Sequence, residues 1–303
     1  GGTPRRLPLP GSDLPGIHYL RTLEDSDALK AAMAHARKLV VVGGGFIGCE
    51  VAAAGVMKGL DTTVIEVGPY LLNMAFDEPT GRWVTEYLAS KGLKTRCGER
   101  AAKFLGRDGR VSGVETTGGA TVPADLVVVG VGLAPNADLA KAAGIQVDNG
   151  IVVNDHLQTS APDVYAAGDV ARFFAPVFDR HLRVEHYDVA VRHGKVAGAN
   201  MAAGDVAFTD LPYFFSDMFE LRIHVHGILG DHDRAILRGE RRLTDRGGFI
   251  QFYMKGPRIM AYLGVNRKLK EERAAQKLIA SRREFLDVGP LEDPTVDLAA
   301  LAG

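Results

Sequence analysis

The segment from Lys38 to Glu66, KLVVVGGGFIGCEVAAAGVMKGLDTTVIE, constrains the fold of this chain more than any other. An apolar run, Leu39 to Val42, reads as a buried parallel strand and breaks at once into G-x-G-x-x-G, whose glycines are Gly43, Gly45 and Gly48. A helical pattern follows as far as Gly59, and a β-branched run, Thr62 to Ile65, ends on the acid Glu66. Gly43 permits the tight turn from strand to helix, Gly45 lets backbone approach a pyrophosphate with no Cβ in the way, and Gly48 lets helix and strand pack closely. The helix N-terminus offers N–H groups and a partial positive charge to phosphates. A carboxylate at Glu66 can accept both ribose hydroxyls. A lone G-x-G-x-x-G is weak, because glycine-rich turns are common. Strand, helix and acid together point to a dinucleotide, against a plain βαβ turn with an empty crevice. Glu66 also repels a 2′-phosphate, and Val67-Gly68-Pro69-Tyr70 supplies no Arg or Lys to receive one, which favours NADH over NADPH.

The length of 303 residues allows two domains, each with its own core. The net charge of −1 gives no electrostatic case for nucleic acid or an anionic membrane surface. No apolar run is long enough to span a bilayer, and the opening residues do not read as a signal peptide. Two cysteines, Cys49 and Cys97, suggest a reducing, cytoplasmic setting rather than a disulfide framework, and Cys49 reads as packing rather than reacting.

Further along, Ile17 to Leu20 suggests a short strand, and a helix runs to about Arg37 from an N-cap at Thr22, Ser26 or a neighbouring Asp. Another helix fits Glu78 to Ser90, with Gly92 just past its end. Turn signals at Asp108-Gly109 and Gly118-Gly119 predict a small antiparallel meander over 93–122. Asp125 to Val129 returns to a buried strand, and Glu185 to Met201 reads as helical. In the last hundred residues, strand runs (Leu221 to Leu229, Phe249 to Met254, Ile259 to Val265) precede an amphipathic helix, Lys268 to Arg283.

Three separated motifs resemble the FAD/NAD(P)-dependent pyridine nucleotide-disulfide oxidoreductases: G-G-G-F-I-G-C-E (Gly43 to Glu50), the G-x-G-x-x-P-N loop Gly130 to Asn136, and T…V-Y-A-A-G-D (Thr159 to Asp169). Arg183-Val184-Glu185-His186 and Phe214-Phe215-Ser216-Asp217 resemble the apoptosis-inducing-factor and ferredoxin (putidaredoxin-type) reductase branch. The resemblance implies an α/β fold with an NAD-binding βαβ domain inserted in a truncated FAD-binding domain, plus a C-terminal α+β domain with an antiparallel sheet. The corresponding divisions are 1–27 (FAD-domain segment), 28–144 (NAD-binding domain), 145–206 (FAD-domain C-terminal part) and 207–303 (interface or dimerisation-type domain). Gly1-Gly2-Thr3-Pro4-Arg5 resembles the end of a segment closing the first half of the FAD domain. On that expectation an FAD-binding G-x-G-x-x-G precedes this chain by about a hundred residues; a cloning scar at Gly1-Gly2 is the alternative.

The resemblance also implies roles. For NAD, these fall to Gly43, Gly45, Phe46, Ile47, Gly48, Glu66, Gly130, Gly132 and Glu185; for FAD, to Gly2, Arg21, Gly168, Asp169, His186, Tyr187 and Phe215. Asp169 would hold the flavin ribityl chain, and the helix starting near His186-Tyr187 would point its dipole at the flavin. Glu50 and His186 would act where the two cofactors meet, although Glu50 also reads as an ordinary helix residue and His186 as a cap. Arg21 reads equally as a solvated arginine. Phe215 stands where the branch commonly has tryptophan, so it keeps a stacking face and loses the indole N–H. His224 and His226 share a strand face without an evident third ligand, so no metal site is expected, and the remaining histidines and the runs Arg241-Arg242 and Arg282-Arg283 read as solvated surface. The activity implied is an NADH-preferring, FAD-dependent oxidoreductase that passes hydride from NADH to FAD and electrons on to a ferredoxin-like protein or a quinone. Alternatives are a slow, redox-responsive interaction protein like apoptosis-inducing factor, and a disulfide reductase, against which the tail lacks an H-P-T-x-x-E-like pair. A homodimer is a possible assembly under this resemblance.

Overall fold

The apolar runs of the first half line up as a parallel sheet because each is Val- and Ile-rich enough to be buried on both faces. The computed structural model describes residues 1–245 and 247–302. It divides into two units, one of Pro4–Ala134 with Ser216–Glu220, the other of Gly1–Thr3, Pro135–Phe215 and Leu221–Gly303.

In the nucleotide-motif unit the sheet strands are β1 (Ile17–His18), β2 (Lys38–Val42), β3 (Asp61–Glu66), β4 (Lys94–Cys97) and β5 (Leu126–Val129), arranged β1-β5-β2-β3-β4. All four pairings are parallel. Helix α1 (Leu23–Met33) starts from Thr22 in a capping box with Asp25. Helix α2 (Phe46–Met57) connects β2 to β3, and its small residues let it lie close on the sheet. A Cβ at Gly55 would fall 2.6 Å from Leu39 and 2.8 Å from Thr62. Helix α3 (Glu78–Ser90) ends before Gly92, whose φ of +99° reverses the chain.

The expected meander is a separate three-stranded antiparallel sheet over Ala101–Arg107, Arg110–Thr116 and Thr121–Pro123. Its first turn uses left-handed Asp108 and Gly109, φ 52° and 74°. Lys94–Cys97, however, pairs in parallel with β3 and belongs to the main sheet. An edge strand buries only part of its surface, so K-T-R-C carries no apolar signal of that membership.

The other unit contains a three-stranded sheet of β6 (Ile151–Val153), β7 (Ala171–Ala175) and β8 (Arg180–Arg183), with helix α4 (Asp138–Ala142) before it and α5 (Tyr187–Met201) after it. Val153, Leu157, Phe173, Val189 and Phe208 form its core. A five-stranded sheet follows, in the order β9 (Tyr213–Met218), β10 (Leu221–Gly227), β13 (Arg258–Val265), β12 (Ile250–Lys255), β11 (Arg234–Arg238). The pairs β10–β13, β13–β12 and β12–β11 are antiparallel. Helix α6 (Leu269–Ala280) buries Ala274, Ala275, Leu278 and Ile279 against Phe252, Met254 and Tyr262. Strands β7, β8 and β11 carry no simple apolar alternation, because Arg and His interrupt them. Among the described residues, no helix is long and apolar enough to cross a membrane.

His193, read as solvated surface, is buried at 0% exposed, and His226 of the strand-face pair is buried at 4%. Arg241 is half-buried and donates to Gln251 Oε1 at 3.0 Å, whereas Arg242, Arg282 and Arg283 are exposed. Arg238 is buried and donates to the main-chain carbonyls of Pro290, Leu291, Asp293, Pro294 and Val296.

Candidate functional site

The three motif glycines occupy three different environments. Gly43 has φ +108°, and a Cβ there would sit 2.3 Å from the Gly130 carbonyl. A Cβ at Gly48 would be 2.0 Å from the Gly43 carbonyl. At Gly45, which caps α2, nothing lies within 4 Å of the Cβ position. The first turn of α2 is therefore held tight against β2 and β5 by two glycines, and its N–H groups look out over the third. Phe46 is half-buried, edge-on to Phe76 at 5.7 Å, and Ile47 is exposed. The second glycine loop abuts this turn, with Gly130 N–H donating to the Val42 carbonyl at 2.8 Å and Gly132 left open at φ +93°.

Glu66 is buried at the tip of β3, and its carboxylate is already engaged. Gly44 N–H donates to Oε2 at 2.6 Å, and Gly68 N–H and Asn73 Nδ2 donate to Oε1 at 2.6 and 3.0 Å. A carboxylate offers about four lone-pair positions, so fewer remain for ribose hydroxyls than the bare motif suggests.

Glu50, half-buried on α2, accepts a 2.5 Å hydrogen bond from Ser216 Oγ. Burial pushes its carboxyl above the usual range, and that bond works in the opposite direction. Arg21 is exposed; its main-chain N–H donates to Asp25 at the start of α1.

The residues matched to FAD, apart from Arg21, lie in the other unit. Gly2 is buried, the Gly1 carbonyl accepts from Asn136 N–H at 2.9 Å, and Thr3 Oγ1 donates to Asn136 Oδ1 at 2.8 Å. Gly168 opens a 3-10 turn, Gly168–Val170, at φ +74°, with Asp169 next and half-buried. Arg183 Nη1 donates to the Asp169 carbonyl at 3.2 Å and to Glu185 Oε1 at 2.6 Å. Glu185 is exposed, as are Tyr187 (81%) and Phe215 (56%).

His186 is the N-cap of α5 and packs on Phe214, ring centroids 4.5 Å apart. Burial pulls its pKa down to about 4, so it is neutral near pH 7. Its Nδ1 is buried and has no hydrogen-bond partner among the described residues. Positive potential at this helix end comes from the α5 dipole, not from an imidazolium. A glycine turn with free φ, a carboxylate beside it and an orphaned imidazole nitrogen fit a polyol and a polar ring edge, so these residues fit the flavin role.

His224 and His226 have a neighbour that their strand position does not reveal. Glu272 Oε2, from α6, lies 3.2 Å from His224 Nδ1 and 3.7 Å from His226 Nε2. Tyr213 stacks on His226 at 4.6 Å. Among the described residues, no group of three His, Cys, Asp or Glu side chains is arranged to hold a metal ion.

Residues 1–194 match the family model described as pyridine nucleotide-disulphide oxidoreductase, and residues 213–302 match the reductase C-terminal family. The chain belongs to the pyridine nucleotide-disulphide oxidoreductase family. It is similar to rhodocoxin reductase of Rhodococcus erythropolis, 35% identical over 93% of this chain and 65% of the relative. It is similar to putidaredoxin reductase CamA of Pseudomonas putida, 35% identical over 98% of this chain and 71% of the relative. The solved ferredoxin reductase for the CYP199A2 system from Rhodopseudomonas palustris matches with a TM-score of 0.93 at 31% identity, covering 100% of this chain and 74% of that one. The chain thus spans roughly two thirds to three quarters of these family members.

Three further residues hydrogen-bond groups that the motifs single out. Ser216 bonds Glu50, Asn73 bonds Glu66, and His193 Nδ1 accepts from the Gly168 N–H at 3.3 Å. His193 was legible in principle: Val189, His193, Ala197 and Asn200 form the buried stripe of α5 at helical spacing. Ser216 and Asn73 carry no such signal, because each acts through a partner distant in sequence or beyond a turn.

Proposed function

We propose that this chain is the NADH-binding and electron-delivering portion of a flavoprotein reductase serving a small iron–sulfur protein. The observation that carries the reading is the open face at Gly45, where a helix N-terminus meets a Cβ-free surface beside a fixed carboxylate. Residues 28–144 are assigned to NADH, 1–27 and 145–206 to FAD, and 207–303 to the acceptor side. Bound there, NADH would be the hydride donor and FAD would supply the exchange between hydride and single-electron chemistry.

The protein's own contribution is to bind and orient. The α2 N-terminus takes the pyrophosphate, and Glu66 takes the adenosine ribose and opposes a 2′-phosphate. Glu50, steadied by Ser216, is placed to hold the nicotinamide carboxamide. Gly168, Asp169 and the α5 N-terminus hold the flavin, with neutral His186 able to accept or donate one hydrogen bond. Relatives named for rhodocoxin and putidaredoxin support an acceptor of the ferredoxin type over a quinone.

Within these 303 residues neither cysteine is poised as a redox thiolate. Cys49 and Cys97 are unpaired, and burial raises both thiols above their ordinary range, Cys49 far above it. The two free thiols suit a cytoplasmic setting.

The test is anaerobic titration of the flavin-loaded protein, followed in the visible spectrum, with NADH and then NADPH, before a plant-type or putidaredoxin-type ferredoxin is added. Bleaching by NADH and reduction of the ferredoxin are expected. Bleaching without transfer to any ferredoxin favours the interaction-protein reading, and no response to NADH refutes the assignment.

A further inference from the structure

Asn73 sits outside every motif in the sequence, yet it is bonded to the carboxylate that receives the nucleotide. Its Nδ2 donates to Glu66 Oε1 at 3.0 Å and to the Tyr70 carbonyl at 3.1 Å. The segment that delivers it folds back on the glycine loop. Leu72 N–H donates to the Gly44 carbonyl at 2.8 Å, and Leu72 itself adopts φ +59°, a left-handed conformation that leucine rarely takes. Gly68 completes the enclosure, since a Cβ there would fall 2.1 Å from Asn73 Nδ2 and 2.3 Å from its Cγ. Glu66 is thus gripped on Oε1 by Gly68 N–H and Asn73, and on Oε2 by Gly44 N–H.

Building on the NADH reading, we infer that Asn73 is the positioning residue that sets nucleotide specificity. With three N–H donors in place, about one lone-pair position of the carboxylate is left, on Oε2. That position suits a single ribose hydroxyl. The grip also keeps the charge from turning aside, so a 2′-phosphate meets a fixed anion. Without Asn73, Oε1 keeps one main-chain donor and the carboxylate can rotate, which costs the ribose bond its direction and relaxes the repulsion.

Calorimetric titration of the 303-residue chain with NAD⁺ and with NADP⁺ reads both effects without turnover. Asn73→Ala is expected to weaken NAD⁺ binding about fivefold or more while changing NADP⁺ binding by about twofold or less, so that discrimination falls. Asn73→Leu, which keeps the branched shape and removes the donor without adding charge, and Gly68→Ala, which evicts the amide, should do the same. Thermal melting identifies any variant that has not folded. Glu66→Ala is the control. If Glu66→Ala abolishes discrimination while folded Asn73→Ala, Asn73→Leu and Gly68→Ala all keep the parental ratio, the role of Asn73 is overturned and the NADH site stands. If Glu66→Ala leaves NAD⁺ binding unchanged, the NADH site is itself misplaced and the proposal falls with it.

Discussion

Ser216 Oγ donates to Glu50 Oε1 at 2.5 Å, joining two residues separated by 166 positions in the chain. Ser216 is buried, so the bond fixes the Glu50 side chain rather than sampling it. The Ser216→Ala change removes the contact that lowers the Glu50 pKa and leaves the burial that raises it. The Glu50 pKa therefore rises further. A protonation limb in the pH profile of NADH oxidation should move to higher pH, with Ser216→Thr restoring it.

Gly45 and Gly48 separate binding from folding. Gly45 has φ −77° and open space around its Cβ position, so Gly45→Val should leave the melting temperature nearly unchanged and weaken NADH binding about tenfold or more. Gly48→Ala drives a methyl into the Gly43 carbonyl, 2.0 Å away. That change should cost about 3 kcal/mol of stability, read by denaturant unfolding.

Three buried histidines make the protein acid-sensitive. Burial lowers His186, His193 and His226 from 6.5 to about 4. The unfolded chain binds protons below pH 6.5 that the folded chain refuses until about pH 4. Stability from these groups is therefore fully present above pH 6.5 and falls as pH drops toward 4, at up to about 1.4 kcal/mol per pH unit for each histidine. Denaturant midpoints at pH 7.5 and 5 measure the loss, and His193→Gln should reduce the slope by about one proton.

Arg238 should prove structural. Its guanidinium is buried among main-chain carbonyls of 290–296, and Arg238→Ala leaves those acceptors unpaired. The expected loss is about 3 kcal/mol by denaturant unfolding, with the 290–296 segment becoming protease-sensitive.

The sequence by itself determined the βαβ nucleotide unit, and the reason is local. Strand, glycine turn and helix are specified by backbone conformation and apolar pattern within thirty or so residues. Helix Glu78–Ser90 and the Asp108-Gly109 turn were legible on the same grounds. Lys94–Cys97 was not, because sheet membership is a matter of main-chain pairing that an edge strand's side chains barely record.

Only the tertiary structure decided what each carboxylate and imidazole touches. Ser216 reaches Glu50, Asn73 grips Glu66, His193 accepts from Gly168, and Glu272 stands between His224 and His226. Hydrogen-bond partnership and burial depend on distances between atoms, and folding brings those atoms together without leaving a periodic trace along the chain.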